Sequence, residues 1–201
     1  MGLPQPVKRF TPQEYYALEQ VAEYKSDFYD GEIFDMSGGT VRHSQICINI
    51  SGELRQRLKG APCQPFESNL RLMIERTGLR CYPDVSVYRG PLRRDAEDPS
   101  GETVTNPAVI FEVLSKSTEG YDRGVKAESF RQIDSLQAYV FVSQESPHVE
   151  SYERSTNGNW VLRDFRGMDG SFTIAAIGVE LPLSEIYARV DFTKADPATQ
   201  A

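Results

Sequence analysis

Histidine and cysteine are scarce in this 201-residue chain: His43 and His148, then Cys47, Cys63 and Cys81. Two imidazoles exclude a His-rich metal centre. Three widely spaced thiols with no CxxC pair read as neither a disulfide frame nor a zinc site, but as reduced, mostly buried cysteines of a cytoplasmic protein. Long apolar runs are missing too, and nothing approaches the roughly 18 residues of a membrane span. The opening MGLPQPVKRF offers no apolar stretch for a signal peptide, and Pro6 stands where myristoylation prefers Ser or Thr. Basic charge is in deficit, with 22 Lys and Arg against 29 Asp and Glu, a net of −7. That excludes a grip on nucleic acid by bulk charge alone, though not a local basic groove.

What is present suffices for one packed core. Apolar residues make up 39% of the chain, with ten Tyr and ten Phe, which places it among globular domains. A single domain over 1–190 with a frayed tail over 191–201 is the expectation. Thr11-Pro12-Gln13-Glu14 is a capping box with Pro at the first helical position, so a helix should run to about Val21. Asp30-Gly31 predicts a hairpin turn, and Ile46, Ile50, Leu54 and Leu58 predict a helix from about Val41 to Leu58. Short strands follow over Cys63–Glu67, Leu70–Glu75 and Leu79–Tyr88, the last broken at Pro83. The polar stretch Arg89–Pro107 reads as a long surface loop. Ala108–Leu114 reads as a central strand buried on both faces. A helix over Asp122–Ile133, a strand over Ala138–Val142, a hairpin around Asn157-Gly158 and a closing strand and helix complete an α/β or α+β domain, a mixed sheet flanked by helices.

Glu112 decides the reading. It lies in the apolar run Ala108–Leu114, where an ionised carboxylate is costly unless a cation or strong donors meet it. A core salt bridge to an arginine is one answer. Asp84 points to another, since it follows the strand-breaking Pro83 and opens Val85-Ser86-Val87-Tyr88. Were the two strands neighbours, both carboxylates would converge, and a divalent cation would relieve their repulsion. An oxygen-rich site with few ligands suits Mg²⁺ or Mn²⁺. Such a cation can polarise a phosphodiester and acidify water, chemistry that calls for a nearby lysine. Position 114 is Leu, so the strand supplies none. Lys126, on the following helix, is the candidate, although a solvated lysine fits its spacing equally well.

Pro83-Asp84 followed by Phe111-Glu112-Val113-Leu114 resembles the PD-(D/E)xK nuclease core without its third-position lysine. The longer strings Tyr82-Pro83-Asp84-Val85, Glu112-Val113-Leu114-Ser115-Lys116-Ser117-Thr118 and Tyr121-Asp122-Arg123-Gly124-Val125-Lys126 resemble the Uma2 family, restriction-endonuclease-like proteins. The opening Thr-Pro-Gln-Glu-Tyr, Asp30-Gly31-Glu32-Ile33, His43 and Val179–Leu183 fit the same family. The resemblance implies a restriction-endonuclease-like fold with an added β-hairpin region. It implies a Mg²⁺ or Mn²⁺ ion at Asp84, Glu112 and the Val113 carbonyl, and a migrated catalytic lysine at Lys126. Asp27 stands where the family has Glu, Phe130 where it has Tyr, Lys116 where it has Pro, and Ala138 where it has Glu.

Around that set, Asp27 and Glu32 flank the hairpin turn and are candidates for supporting the metal ligands. His43 could donate to a phosphate or cap its helix. Arg123, with Arg89, Arg93 and Arg94, could form a local basic rim for DNA. The expectation is a metal-dependent DNA endonuclease. The alternative is an inactive nucleic-acid-binding or protein-binding module on the same fold. A homodimer, with an interface drawn from Trp160 and Ile186-Tyr187, would let two sites cut both strands.

Overall fold

A computed structural model describes residues 8–36 and 38–193. In chain order it contains α1 (Pro12–Glu19), β1 (Ser26–Tyr29), β2 (Glu32–Asp35), α2 (Val41–Arg57), β3 (Cys63–Glu67), β4 (Arg71–Met73), β5 (Arg80–Cys81), β6 (Val85–Arg89), β7 (Thr103–Val104) and β8 (Pro107–Leu114). Then come α3 (Glu119–Tyr121), a π-helical turn (Asp122–Lys126), α4 (Ala127–Phe130), β9 (Ala138–Ser143), β10 (His148–Arg154), β11 (Trp160–Arg166), β12 (Ser171–Ile174), β13 (Val179–Pro182) and α5 (Leu183–Ile186).

Six strands form the main sheet in the order β11-β10-β9-β8-β6-β3. Only β8 and β9 run parallel; the other neighbours are antiparallel. All eight residues of β8 are buried, as its unbroken apolar run requires. Because side chains alternate, β8 serves two cores. Val109, Phe111 and Val113 pack with Val85, Val87, Val140 and the α2 residues Ile46, Ile50 and Leu54. Ile110 and Leu114 pack on the other side with Leu72, Leu79, Ala127 and Phe130. At about 1.5–3 kcal/mol per fully buried large apolar side chain, these faces dominate the stability.

A second sheet, β2-β1-β5-β4-β7, lies apart from the first in hydrogen bonding. Its hairpin turns at Asp30 (φ 47°) and Gly31 (φ 80°), the two positive φ values that an Asp-Gly turn of this type needs. The Thr11 side chain accepts from the Glu14 amide while Glu14 accepts from the Thr11 amide, so the capping box forms as written.

Several expectations change. The stretch Arg89–Pro107 is not an open loop. Asp98 accepts from the Thr103 amide (2.8 Å) and hydroxyl (2.6 Å), which folds the segment back so that β7 joins β4. Strand β12, directly after Asp169-Gly170 and outside the expected strands, pairs with β13 and adds Phe172 and Ile174 to the α2 side of the core. The helix expected over Asp122–Ile133 begins at Glu119 and stops at Phe130. Much of the expected dimer surface is spent inside the chain, with only Trp160 of its three residues part-exposed. Ile186 and Tyr187 are buried, and the Trp160 ring packs on Tyr139 and under Arg154. Of the expected tail, Asp191 accepts from Arg42 Nε at 2.9 Å through its carbonyl, and 194–201 lie outside the described residues.

Candidate active site

Strand pairing brings the two conspicuous carboxylates together. β6 runs antiparallel to β8 with Val85 opposite Phe111, so Asp84, just before β6, reaches the C-terminal half of β8. Its Oδ2 accepts the Val113 amide at 2.7 Å. The amide and carbonyl of one strand residue point to the same side, so the Val113 carbonyl is directed toward that edge as well.

Glu112 projects onto the opposite face of β8 from Val113, the side that holds Ile110 and Leu114, and it is almost fully buried. Lys126 meets it there, with Nζ 3.3 Å from Oε1. The same Nζ lies 3.3 Å from Asp122 Oδ1 and 3.9 Å from Asp27 Oδ2, and every one of these side chains is at most 7% exposed. One ammonium therefore serves three buried carboxylates. Burial alone would strip its proton, but Glu112, Asp27 and Asp122 outweigh that and hold Lys126 well above its ordinary value. Burial pushes the Glu112 carboxyl well up, and Asp122, Asp84 and Asp27 add to this against the pull of Lys126. Burial raises Asp27 likewise, opposed chiefly by Lys126. Asp27 Oδ1 and the Tyr121 hydroxyl are buried with no hydrogen-bond partner, although the phenol is near enough to favour the Asp27 carboxylate.

The π-helical turn sets this geometry. The Ala127 amide bonds to the Asp122 carbonyl, five residues back, so the turn holds one residue more than an α-turn. Asp122 and Lys126 both face inward from it and pair with each other.

Facing Asp84 from the other side is His43, in the first turn of α2. Its Nε2 lies 3.2 Å from Asp84 Oδ2, and its Nδ1 lies 3.6 Å from the Cys47 thiol. The Thr40 hydroxyl caps the helix by accepting from the His43 amide. Gly39 leaves room for the ring, since a Cβ there would stand 2.9 Å from Nδ1. Burial lowers the affinity of His43 for a proton, but the bond and charge of Asp84 more than restore it.

Two expected contributors are elsewhere. Glu32 sits opposite Tyr29 across the hairpin, is 41% exposed, and faces Arg9 at 3.8 Å. Arg123 is committed to carboxylates: Nε to Glu119 at 2.7 Å, and both terminal nitrogens to Glu150. Its guanidinium also lies over the Phe141 ring, so it is no free cation for a rim. Arg94 bonds the Gly101 carbonyl within its own loop.

The family model Uma2, described as "Putative restriction endonuclease", matches residues 12–184. The chain belongs to the Uma2 family. It is 33% identical over 187 residues to the uncharacterised protein slr1290 of Synechocystis sp., covering 93% of this chain and 96% of that one. It is 34% identical over 165 residues to sll1609 of the same organism, covering 80% and 89%. A crystal structure from Anabaena variabilis, described as "a putative nuclease belonging to DUF820", shares the fold with a TM-score of 0.67 at 16% identity, covering 83% of this chain and 92% of that one.

Asp27, Asp84, Glu112, Asp122 and Lys126 all lie within the Uma2 match. Asp122 was not among the residues expected at the site. Its marks in the sequence are its place in the family-like string Tyr121–Lys126 and the Asp-x-x-x-Lys spacing, which puts both on one helical face. The donor set fits a hard divalent cation. Carboxylate oxygens of Asp84 and Glu112 and a strand carbonyl are suitable ligands, and the pocket sets three carboxyl groups against one lysine.

Proposed function

We propose that this Uma2 protein is a metal-dependent endonuclease that hydrolyses DNA phosphodiester bonds. Asp84, Glu112 and the Val113 carbonyl would hold Mg²⁺ or Mn²⁺, and Lys126 is the catalytic cation. The observation that carries the reading is the single buried ammonium among Asp27, Glu112 and Asp122, with Asp27 Oδ1 unpartnered. Such a deficit of positive charge is costly in a packed interior and is relieved by a bound cation.

When bound, the cation supplies charge for a phosphoryl oxygen and acidity for water. The remaining parts belong to the chain. Lys126 keeps its proton because three carboxylates surround it, so its Nζ can donate to an attacking water or to a phosphate oxygen that gains charge. Asp122, in the same turn, fixes the direction of the lysine. The Val113 amide and His43 Nε2 both hold Asp84 Oδ2, which orients that carboxylate toward β8.

No helix among the described residues is long and apolar enough to cross a membrane. A cytoplasmic setting, with all three cysteines as free thiols, is part of the proposal. Cutting both strands of a duplex calls for two sites, so a two-fold pair belongs to it as well, through a surface other than Ile186 and Tyr187. The test is nicking of supercoiled plasmid with Mg²⁺ or Mn²⁺, with Glu112→Gln as the blank. Metal-dependent nicking that the blank lacks is the expected result. Salt-dependent DNA binding without cleavage would leave a binding module instead.

A further inference from the structure

Cys47 takes no part in the chemistry proposed above, yet its thiol borders the site. Four residues separate it from His43, which places both side chains on one face of α2, opposite Asp84. One donor atom from each of His43, Cys47 and Asp84 lies within 4.8 Å of the others. The contacts already pair them: Sγ to Nδ1 at 3.6 Å, and Nε2 to Asp84 Oδ2 at 3.2 Å. The His43 and Asp84 side chains are 20% and 14% exposed, so a small ion has a way in. Cys63 and Cys81 lie buried in the two apolar cores, one on each side of the main sheet.

Thiol, imidazole and carboxylate together are the ligand types of zinc. They are a poor set for Mg²⁺, which takes oxygen donors and keeps its waters. Three protein ligands would leave the fourth tetrahedral position to water.

We propose that His43, Cys47 and Asp84 form a binding site for a thiophilic divalent cation such as Zn²⁺, and that its occupation withdraws Asp84 from the hard cation. The binding half stands on these three residues alone; the inhibitory half rests on the nuclease reading. Burial and the nearby Asp84 and Glu112 charges keep the Cys47 thiol protonated. Binding therefore exchanges the S–H bond for an S–metal bond and releases one proton to solvent.

The probe is Co²⁺, which takes zinc's ligands and adds a thiolate-to-metal charge-transfer band in the near ultraviolet. The full chain should show that band, Zn²⁺ should titrate it away, and Mg²⁺ should leave it. Cys47→Ser should abolish the band. Glu112→Gln should keep it, because Glu112 ligates only the hard cation. No band in the unaltered chain, or a band that survives in Cys47→Ser, overturns the site. Plasmid nicking, read as the ratio of rates with and without Zn²⁺, tests the second half. That ratio should rise in Cys47→Ser by at least about 10-fold, the lower end of what lost metal-site contacts cost. Equal inhibition of both proteins would place zinc's action elsewhere and refute the inhibitory half. A Cys47-dependent band in a protein that nicks with neither Mg²⁺ nor Mn²⁺ would instead leave this site standing and remove the nuclease reading.

Discussion

Replacing Lys126 by methionine keeps the side chain's length and removes its charge. In the folded chain Asp27, Glu112 and Asp122 would each lose a cation within 4.0 Å, and no other lysine or arginine among the described residues comes that near to them. Breaking a buried pair from one side costs about 3–5 kcal/mol, because the remaining charge is left in the interior. For a chain of this size each kcal/mol moves the melting temperature by about 2–4 °C. The metal-free variant should therefore melt about 6–20 °C lower than the unaltered chain near neutral pH, followed by circular dichroism with a chelator present. The loss should shrink on acidification. Glu112 takes up a proton more readily folded than unfolded. Its protonation thus favours the fold below the unfolded value of about 4.3, and that contribution disappears as pH rises through the folded value. Glu112→Gln is the internal control. Lys126 keeps Asp27 and Asp122 as partners, so this metal-free variant should be as stable as the unaltered chain or more so, and flatter in pH. Lys126→Met melting within about 2 °C of the unaltered chain near pH 7 would refute the argument, because that is less than 1 kcal/mol.

Saturating Mg²⁺ or Mn²⁺, at about 100 times its dissociation constant, should add about 2.7 kcal/mol to the unaltered chain. Thermal melts should show that gain vanish in Asp84→Asn and Glu112→Gln. Lys126→Ala should lose several orders of magnitude of nicking while calorimetry finds metal affinity near the original; full activity would remove the lysine from the chemistry. Leu114→Lys added to Lys126→Ala should recover part of the rate, because Leu114 lies two residues past Glu112 on the same face of β8, in the core that also holds Ala127. Gly39→Ala should cost about 1–3 kcal/mol and slow nicking, since the new methyl would crowd His43 at 2.9 Å. A melt and a rate unchanged from Gly39 would show that the ring does not need that space.

Asp84 and Glu112 were legible because each breaks a local pattern, one after a strand-ending proline and one inside an apolar strand. Their convergence follows from strand adjacency, which the apolar runs leave open and the pairing of β6 with β8 supplies. Asp122 escaped notice because an acidic residue at a helix start is commonplace, and only the extra residue in its turn points it inward. Glu32 was misplaced by the hairpin. Asp27 and Glu32 share one face of the hairpin, but Glu32 pairs with Tyr29 at the turn end, beside Arg9, while Asp27 lies farther along β1 where Lys126 reaches it. The neutralisation of Arg123 depends on Glu150, 27 residues away in β10, and no local spacing foretells such a partner. The folding of Arg89–Pro107 rests on side-chain bonds from Asp98, which a polar composition conceals.

The wide turn at Asp122–Lys126 makes one helical segment answer to two masters. Within it, Asp122 and Lys126 must address β8; behind it, Ala127 and Phe130 must fill the apolar core. In a regular α-helix each residue advances the direction by about 100°, so fixing one end fixes the other. The additional residue acts as a phase adjuster between the two demands. Deleting Gly124 should restore a uniform helix and force a choice, with either the lysine or the phenylalanine rotated out of place. Such a joint also lets the charged end and the packing end drift separately through substitution, which is the freedom that a lysine needs if it is to leave a strand and take up residence on a helix.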